Sequence, residues 1–423
     1  MPLLYAIASY FLFLAMLPVL LTHPKLRHGL RQRLGFYRKL PPRGEGPRIW
    51  LHGASAGDLL ALKPILDGLR QRLPKATLFV STLTNSGQLM ARERLKNADA
   101  IVYLPYDLPG AVRRAVRELA PDLLVIEYTE IWPNLIRAAK SAGVRIALTN
   151  GRFSSRTFGS YRLLFRLIGN PLRAIDLFLM RGEDEAERAL LLGAPRERLL
   201  VTGNTKFDAL SASALEATGG APTSLRSAIG EGQLLIAGST HEGEESLLLS
   251  VFQRLRATTP GLRLVLAPRY IDRAPRILTL VRERGFVGGL RSQADPTIPP
   301  SDVIVLDTIG ELAFAYQLAT LVFVGGSFTP RGGQNILEPA AAGKPVLFGP
   351  NMENFADSVQ VLLGRGGIQV KDEAQLTQVL QDLFAQPERI AELGDMARAA
   401  VSSVSGASQR DVDELCKLLG RAA

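Results

Sequence analysis

From Arg48 onward, short β-branched or leucine-rich runs alternate with amphipathic stretches. RIWLHG, ATLFVST, AIVYLP, DLLVIE, RIALTN, LFLMRG and LLVTG form one series. QLLIAGS, RLVLAPR, VIVLDT, TLVFVGGS, PVLFGP and GGIQV, starting at Gln233, form a second. Near-continuous apolar runs mark strands covered on both faces, and their alternation with helical stretches predicts βαβ units around parallel sheets. Residues 211–232, rich in Ala, Ser, Thr and Gly, read as a linker. The halves also align. LHGASAGD in the first answers IAGSTHEGE in the second, residues 74–82 answer 260–268, and Leu123 to Glu127 answers Val303 to Asp307. The expectation is an α/β protein of two related Rossmann-like domains, residues 23–215 and 225–423. They are expected to face a cleft, with ligands beyond the carboxyl ends of the strands.

Residues 2–21 are twenty consecutive uncharged, mostly apolar residues, about 30 Å as a helix, the thickness of a bilayer's hydrocarbon. Residues 1–22 are therefore expected to be a retained transmembrane anchor. Lys25, Arg27, Arg31, Arg33, Arg38, Lys39 and Arg43 follow it directly, so the positive-inside bias places the bulk of the chain on the cytoplasmic side of the membrane. A cleaved signal peptide competes, but it carries its charge before the apolar run. A helix lying on anionic lipid is the other alternative.

That basic collar changes the reading of the composition. The chain of 423 residues has 50 Lys+Arg against 40 Asp+Glu, a net charge of +10. Seven of those charges lie in the first 44 residues, which hold no acid. The remainder shows no stripe of basic residues interleaved with aromatics, so no nucleic-acid partner is expected. With 47% hydrophobic residues and mean hydropathy +0.11, disorder and a polytopic membrane bundle fit badly. The single cysteine, Cys416, permits no internal disulfide.

Several chemistries are disfavoured. No G-x-G-x-x-G opens a helix, Gly343-Lys344 lacks the rest of a P-loop, and His23, His28, His52 and His241 have no ligand spacing, so neither a dinucleotide nor a histidine metal site is expected. Asp411-Val412-Asp413 has the D-x-D form of metal-dependent sugar transferases but reads as an exposed helix face near the C-terminus.

Polar residues instead concentrate at strand ends. In His52-Gly53-Ala54-Ser55-Ala56-Gly57-Asp58, the acid opens a helix and on its own is explained by the helix dipole. In Glu127-Tyr128-Thr129-Glu130-Ile131-Trp132-Pro133-Asn134, two carboxylates follow a buried strand, where desolvation tunes a pKa. Pro133 starting a helix and Asn134 capping it account for the rest of that motif. Gly203-Asn204-Thr205-Lys206-Phe207-Asp208 supplies a cation or, more plainly, a turn with a solvated lysine. The second half offers Gly238 to Glu242, Pro268-Arg269, Asp307 to Glu311, and Gly325 to Ser327 through Gly332 to Pro339. Glycine turns leading into a helix offer N–H groups to phosphate, an arginine adds charge-assisted bonds, and Glu338 stands ready for ribose hydroxyls.

In order along the chain, HGASAGD, YLPYD, EYTEIWPN, NGRFS, GNTKFD, GSTHEGE, APR, DTIGEL, GGSFTPRGGQNILEPA and LFGPNMENF resemble the 3-deoxy-D-manno-octulosonic acid (Kdo) transferases of lipopolysaccharide biosynthesis. The resemblance runs from the N-terminal segment to about residue 370. It implies a GT-B glycosyltransferase, inverting and metal-independent, with no cofactor. Such an enzyme moves Kdo from CMP-Kdo onto a lipid A precursor, lipid IV-A, at inner membrane lipids. It also implies Asp58 as general base, with Glu130 and Lys206 stabilising the transition state. CMP contacts fall on Pro268, Arg269, Ile309, Gly310, Glu311, Asn335, Ile336, Leu337 and Glu338. The sequence departs from the family twice, with Asp58 for the usual Glu and Gln334 for the usual His. A same-fold transferase using another activated sugar, or a non-catalytic membrane-bound relative, are the alternative readings.

Overall fold

The computed structural model describes residues 2–22, 28–216, 220–230, 232–294 and 301–420. His23, and Lys25 and Arg27 of the basic collar, lie outside the described residues. The chain divides into two compact units, Leu210–Val404 and a first unit made of Met1–Ala209 with Ser405–Ala423.

The first unit is a seven-stranded parallel sheet of β1 (Arg48–His52), β2 (Thr77–Thr82), β3 (Ala100–Tyr103), β4 (Leu123–Glu127), β5 (Arg145–Gly151), β6 (Leu177–Met180) and β7 (Leu199–Val201), in the order β3-β2-β1-β4-β5-β6-β7. Successive side chains of a strand point to opposite faces, which explains why β1 and β4 are apolar throughout. Ile49 and Leu51 enter one core with Leu123 and Val125, while Trp50 enters another with Leu124 and Ile126. Helix α1 (Pro2–Thr22) precedes the sheet, and α2 (Ala56–Arg72) follows β1, burying Leu59, Leu62, Ile65, Leu66 and Leu69. Helices α3 (Pro109–Leu119) and α4 (Pro133–Ser141) cover the other face with Val112, Val116, Leu135 and Ile136. Helix α5 (Thr205–Glu216) leads out of the unit.

The second unit repeats the plan with β8 (Leu234–Thr240), β9 (Arg263–Pro268), β10 (Gly288–Leu290), β11 (Val303–Val305), β12 (Leu321–Val324), β13 (Val346–Phe348) and β14 (Gly367–Gln369), ordered β10-β11-β9-β8-β12-β13-β14. Helix α6 (Glu244–Thr258) follows β8, and the five-residue α7 (Leu337–Ala341) precedes β13.

Three expectations are corrected here. The match of residues 123–127 to 303–307 fails, because β4 pairs with β1 whereas β11 pairs with β9. The partner of β8 in the place of β4 is β12. Local apolar content cannot distinguish these strands, since pairing is decided by the crossover. Second, the C-terminal domain does not run to the end of the chain. Helix α8 (Ala407–Leu418) buries Val412, Leu415 and Cys416 in the first unit's core beside α2.

Third, the spanning anchor is unsupported, because among the described residues no helix is long and apolar enough to cross a membrane. Helix α1 is instead docked on the first unit along one stripe. Tyr5 Oη donates to Asp107 Oδ2 at 2.9 Å, Asn134 Nδ2 to Ser9 Oγ at 3.4 Å, and the Phe13 ring packs 5.5 Å from that of Tyr106. Ile7, Phe11 and Leu14 on the other side are exposed.

Candidate active site

In the first unit the relevant side chains sit at the carboxyl ends of β1, β4 and β5. Asp58 occupies the third position of α2 in a capping box: its Oδ2 accepts from Ser55 N at 2.8 Å and from Ser55 Oγ at 2.9 Å, and its own N–H reaches Ser55 Oγ at 3.4 Å. The helix-start account of this acid therefore holds. It uses one oxygen only. Oδ1 has no hydrogen-bond partner among the described residues, and the side chain is half-buried.

Glu130, also half-buried, accepts from Trp132 Nε1 at 3.1 Å. Its Oε2 lies 3.9 Å from Nε2 of the buried His52. The His52 Nδ1 faces Ser81 O at 3.1 Å and Ser81 Oγ at 3.0 Å, while Nε2 has no hydrogen bond. With Nδ1–H donating to the carbonyl, Nε2 is a bare acceptor turned toward Glu130. Lys206 follows in the first turn of α5, its N–H received by Asn204 Oδ1 at 3.1 Å, and its ammonium has no acid partner among the described residues.

Glu127 was legible as one of two acids after a buried strand, but its place in the site was not. It is fully buried and accepts from Thr149 Oγ1 at 2.6 Å, Asn150 Nδ2 at 3.0 Å and Thr205 Oγ1 at 3.4 Å. One carboxyl thus joins the ends of β4 and β5 to the residue before Lys206. Burial, above all, pushes it up to about 8, and the charges of Asp411 and Asp58 push the same way. Tyr128 and Asn150, which flank it, both hold left-handed backbone, φ 58° and 51°. Strain of this kind at non-glycine residues collects at functional sites. Asn134 is not the cap of α4. Asp107 takes that role, accepting from Asn134 N at 3.0 Å and Leu135 N at 2.8 Å.

Asp411 overturns the exposed-helix reading of the D-x-D sequence, because it is fully buried, with neither carboxylate oxygen in a hydrogen bond of good geometry. Asp413 alone faces outward, 2.5 Å from Arg72.

In the second unit the expected glycine cradle is already occupied by the protein. The buried carboxylate of Glu244, at the start of α6, accepts from His241 N (2.8 Å), Gly326 N (2.8 Å), Ser327 N (3.1 Å) and Phe328 N (3.0 Å). Gly333 N in turn donates to Gly326 O at 2.9 Å. These N–H groups are therefore not free for a phosphate. Pro268 closes β9 and is buried, whereas Arg269 is exposed, with no acid partner among the described residues. Arg269, Arg273 and Arg331 converge on His241, whose pKa is lowered chiefly by burial and further by these guanidinium groups, against the opposing charge of Glu244. Gln334 Nε2 lies 3.3 Å from His241 Nε2.

Ile309 is 85% exposed at the tip of a turn whose Gly310 has φ 87°. Glu311 is bound to Arg291 at 2.9 Å and to the Thr308 hydroxyl. Asn335 is committed to Leu210 O at 2.7 Å and Leu337 N at 3.1 Å. Ile336 and Leu337 are buried, so only their backbone could meet a ligand, and Glu338 is half-buried near Tyr316.

A family model described as 3-deoxy-D-manno-octulosonic-acid transferase (kdotransferase) matches residues 28–209. Over 394 residues the chain is 32% identical to a 3-deoxy-D-manno-octulosonic acid transferase of Chlamydophila psittaci, covering 92% of this chain and 90% of that one. It is 30% identical to the like-named protein of Haemophilus influenzae, covering 94% and 93%. Among solved structures, UDP-GlcNAc 2-epimerase of Neisseria meningitidis bound to UDP-GlcNAc is similar at TM-score 0.57 and 14% identity, covering 88% of this chain and all of that one. At that identity the likeness is one of fold.

Proposed function

The chain belongs to the 3-deoxy-D-manno-octulosonic acid (Kdo) transferases, and on that premise we propose an inverting, metal-independent transfer of Kdo from CMP-Kdo onto a lipid A precursor, lipid IV-A. The observation that carries the reading is Asp58, a half-buried carboxylate fixed by its helix cap through one oxygen and left with the other uncommitted. A base needs that combination of fixed geometry and an available lone pair.

The acceptor hydroxyl attacks the anomeric carbon of Kdo as the bond to the phosphate oxygen breaks, and its proton passes to Asp58. CMP departs as a phosphate monoester. Positive charge gathers on the ring, so the Glu130 carboxylate lowers the barrier, while the unpaired Lys206 ammonium offsets negative charge on the departing group. Arg269 holds the phosphate by charge-assisted bonds, and the turn at Ile309 to Glu311 together with Asn335 to Glu338 frames the nucleotide. Purified protein given CMP-Kdo and the lipid A precursor should yield a product heavier by whole Kdo residues in mass spectrometry. No product with CMP-Kdo, but product with another activated sugar, would transfer the assignment to the same-fold alternative. No product with any donor would favour a non-catalytic relative.

Membrane association is part of the same proposal, now as a helix lying on the bilayer. The exposed stripe of Ile7, Phe11 and Leu14 on α1 supports it, as do Arg31, Arg38 and Lys39 nearby in sequence. The full chain should sediment with anionic vesicles, and replacing Phe11 and Leu14 by Ser should release most of it. Undiminished sedimentation would assign the contact elsewhere.

A further inference from the structure

Helix α8 comes from the far end of the chain yet is fastened to the segment that bears Lys206. Asp208, two residues past Lys206, accepts from Gly406 N and Ser408 N, each at 2.6 Å. Arg410 Nε donates to Thr202 O at 2.8 Å. From this helix Asp411 points into the core, fully buried, with neither oxygen in a hydrogen bond of good geometry; the Thr202 hydroxyl favours its charged form, and its own charge acts on Glu127. Ser408 Oγ is also buried without a partner. A helix serving only to complete an apolar core would place Val412, Leu415 and Cys416 as it does, and would not bury a carboxylate one residue away.

We propose that Asp411 is a positioning residue of the active site, acting through Glu127, and that the working enzyme holds the two buried carboxyls with one negative charge between them. This rests on Asp58, Glu130 and Lys206 being the transfer machinery. Glu127 ties β4, β5 and Thr205 together, and α8 is fastened to Thr202 and Asp208 on either side of Thr205, so the seating of α8 sets where Lys206 stands.

Burial raises both acids, Asp411 to about 7 with help from Asp208, and Glu127 to about 8 with help from Asp411 and Asp58. Asp58 on α2 and Asp208 on α5 face the pair with negative charge. On α8, the Arg410 guanidinium is held by carbonyls of Thr202 and Ser405. Arg181, after β6, acts on Tyr128, and His52 lies 3.9 Å from Glu130. The Arg410 charge partly offsets that of Asp411, but among the described residues no cation forms an ion pair with either carboxylate. Loss of the second proton therefore leaves two desolvated charges in one core, which is costly enough to unseat the helix. For an acid whose folded pKa is raised, stability is present below its unfolded pKa and is lost as pH climbs through the folded value. The loss here begins in the ordinary carboxylate range and is complete by about pH 8.

The test is kcat, KM for CMP-Kdo and thermal unfolding, measured from neutral to alkaline pH on the full chain. Wild type should lose kcat around pH 8, with melting temperature declining up to that pH. Asp411→Asn and Glu127→Gln, which cannot form the doubly charged pair, should each shrink that alkaline fall and move its midpoint, the remaining acid still being raised by burial. Asp413→Asn on the same helix should leave it intact. Asp411→Ala should lower kcat at neutral pH by roughly tenfold or more through misplacement, leave KM for CMP-Kdo unchanged, and be rescued there by Asp411→Asn. If Asp411→Ala does not fold, the Asp411→Asn profile decides. An alkaline fall that persists unmoved in Asp411→Asn, or a wild type with none, overturns the proposal. If wild type transfers nothing, the functional reading fails separately, and the pH dependence of melting in wild type against Asp411→Asn still judges the pair.

Discussion

Asp58→Asn should lower transfer by roughly 10²- to 10⁴-fold, the span that a positioned base contributes, with CMP affinity unchanged. The amide oxygen still accepts from Ser55 N and Ser55 Oγ, the two bonds now made by Oδ2, so the capping box survives. A cap is worth about 1 kcal/mol, and the melting temperature should hardly move. Asp58→Ala should lose both cap and base, which separates helix start from chemistry. Arg269→Ala should behave oppositely, weakening CMP by about 10- to 100-fold through one lost charge-assisted contact and showing its defect mainly in KM. Calorimetric titration with CMP and single-turnover transfer distinguish the two. Transfer by Asp58→Asn within a few-fold of wild type would remove the residue from the base role.

The strands were legible because burial on both faces leaves no polar position to confuse. RIWLH and LLVIE are fully buried from end to end. The acids and the lysine at strand ends were legible for the complementary reason that a chain turning out of a sheet has no structural need for Glu130 or Lys206. What escaped were relations between distant segments. Nothing local marks β11 as the neighbour of β9, or α8 as a helix of the first unit. Asp411 and Asp413 stand two positions apart in an otherwise ordinary amphipathic helix. Only the docking of Val412, Leu415 and Cys416 turns the first inward and the second toward Arg72. The docking of α1 is similar. An all-apolar run carries no sign that Tyr5, Ser9 and Phe13 have partners near Asp107.

Glu244→Gln should be among the most damaging single changes in the second unit, although it preserves size. Four backbone N–H groups converge on the carboxylate, two on each oxygen, and no amide can receive four. Whichever way Gln turns, its NH2 faces two donors, leaving them buried and unpaired at a cost of about 3 kcal/mol or more, a large share of a domain's stability. The turn after β12 should open and CMP binding should be lost with it. Both tryptophans, Trp50 and Trp132, lie in the first unit. Their fluorescence should therefore melt nearly as in wild type while far-ultraviolet dichroism shows an earlier transition. Unfolding of Glu244→Gln indistinguishable from wild type would deny the carboxylate this role. The expected contrast with Asp58→Asn follows from matched positions, since each acid lies in the first turn of the helix after its unit's first strand, β1 or β8. In the second unit the strand alongside, β12, ends in Gly325-Gly326-Ser327 and turns its N–H groups onto Glu244. In the first, β4 ends in Glu127 and supplies no such donors, which leaves Asp58 Oδ1 for a proton.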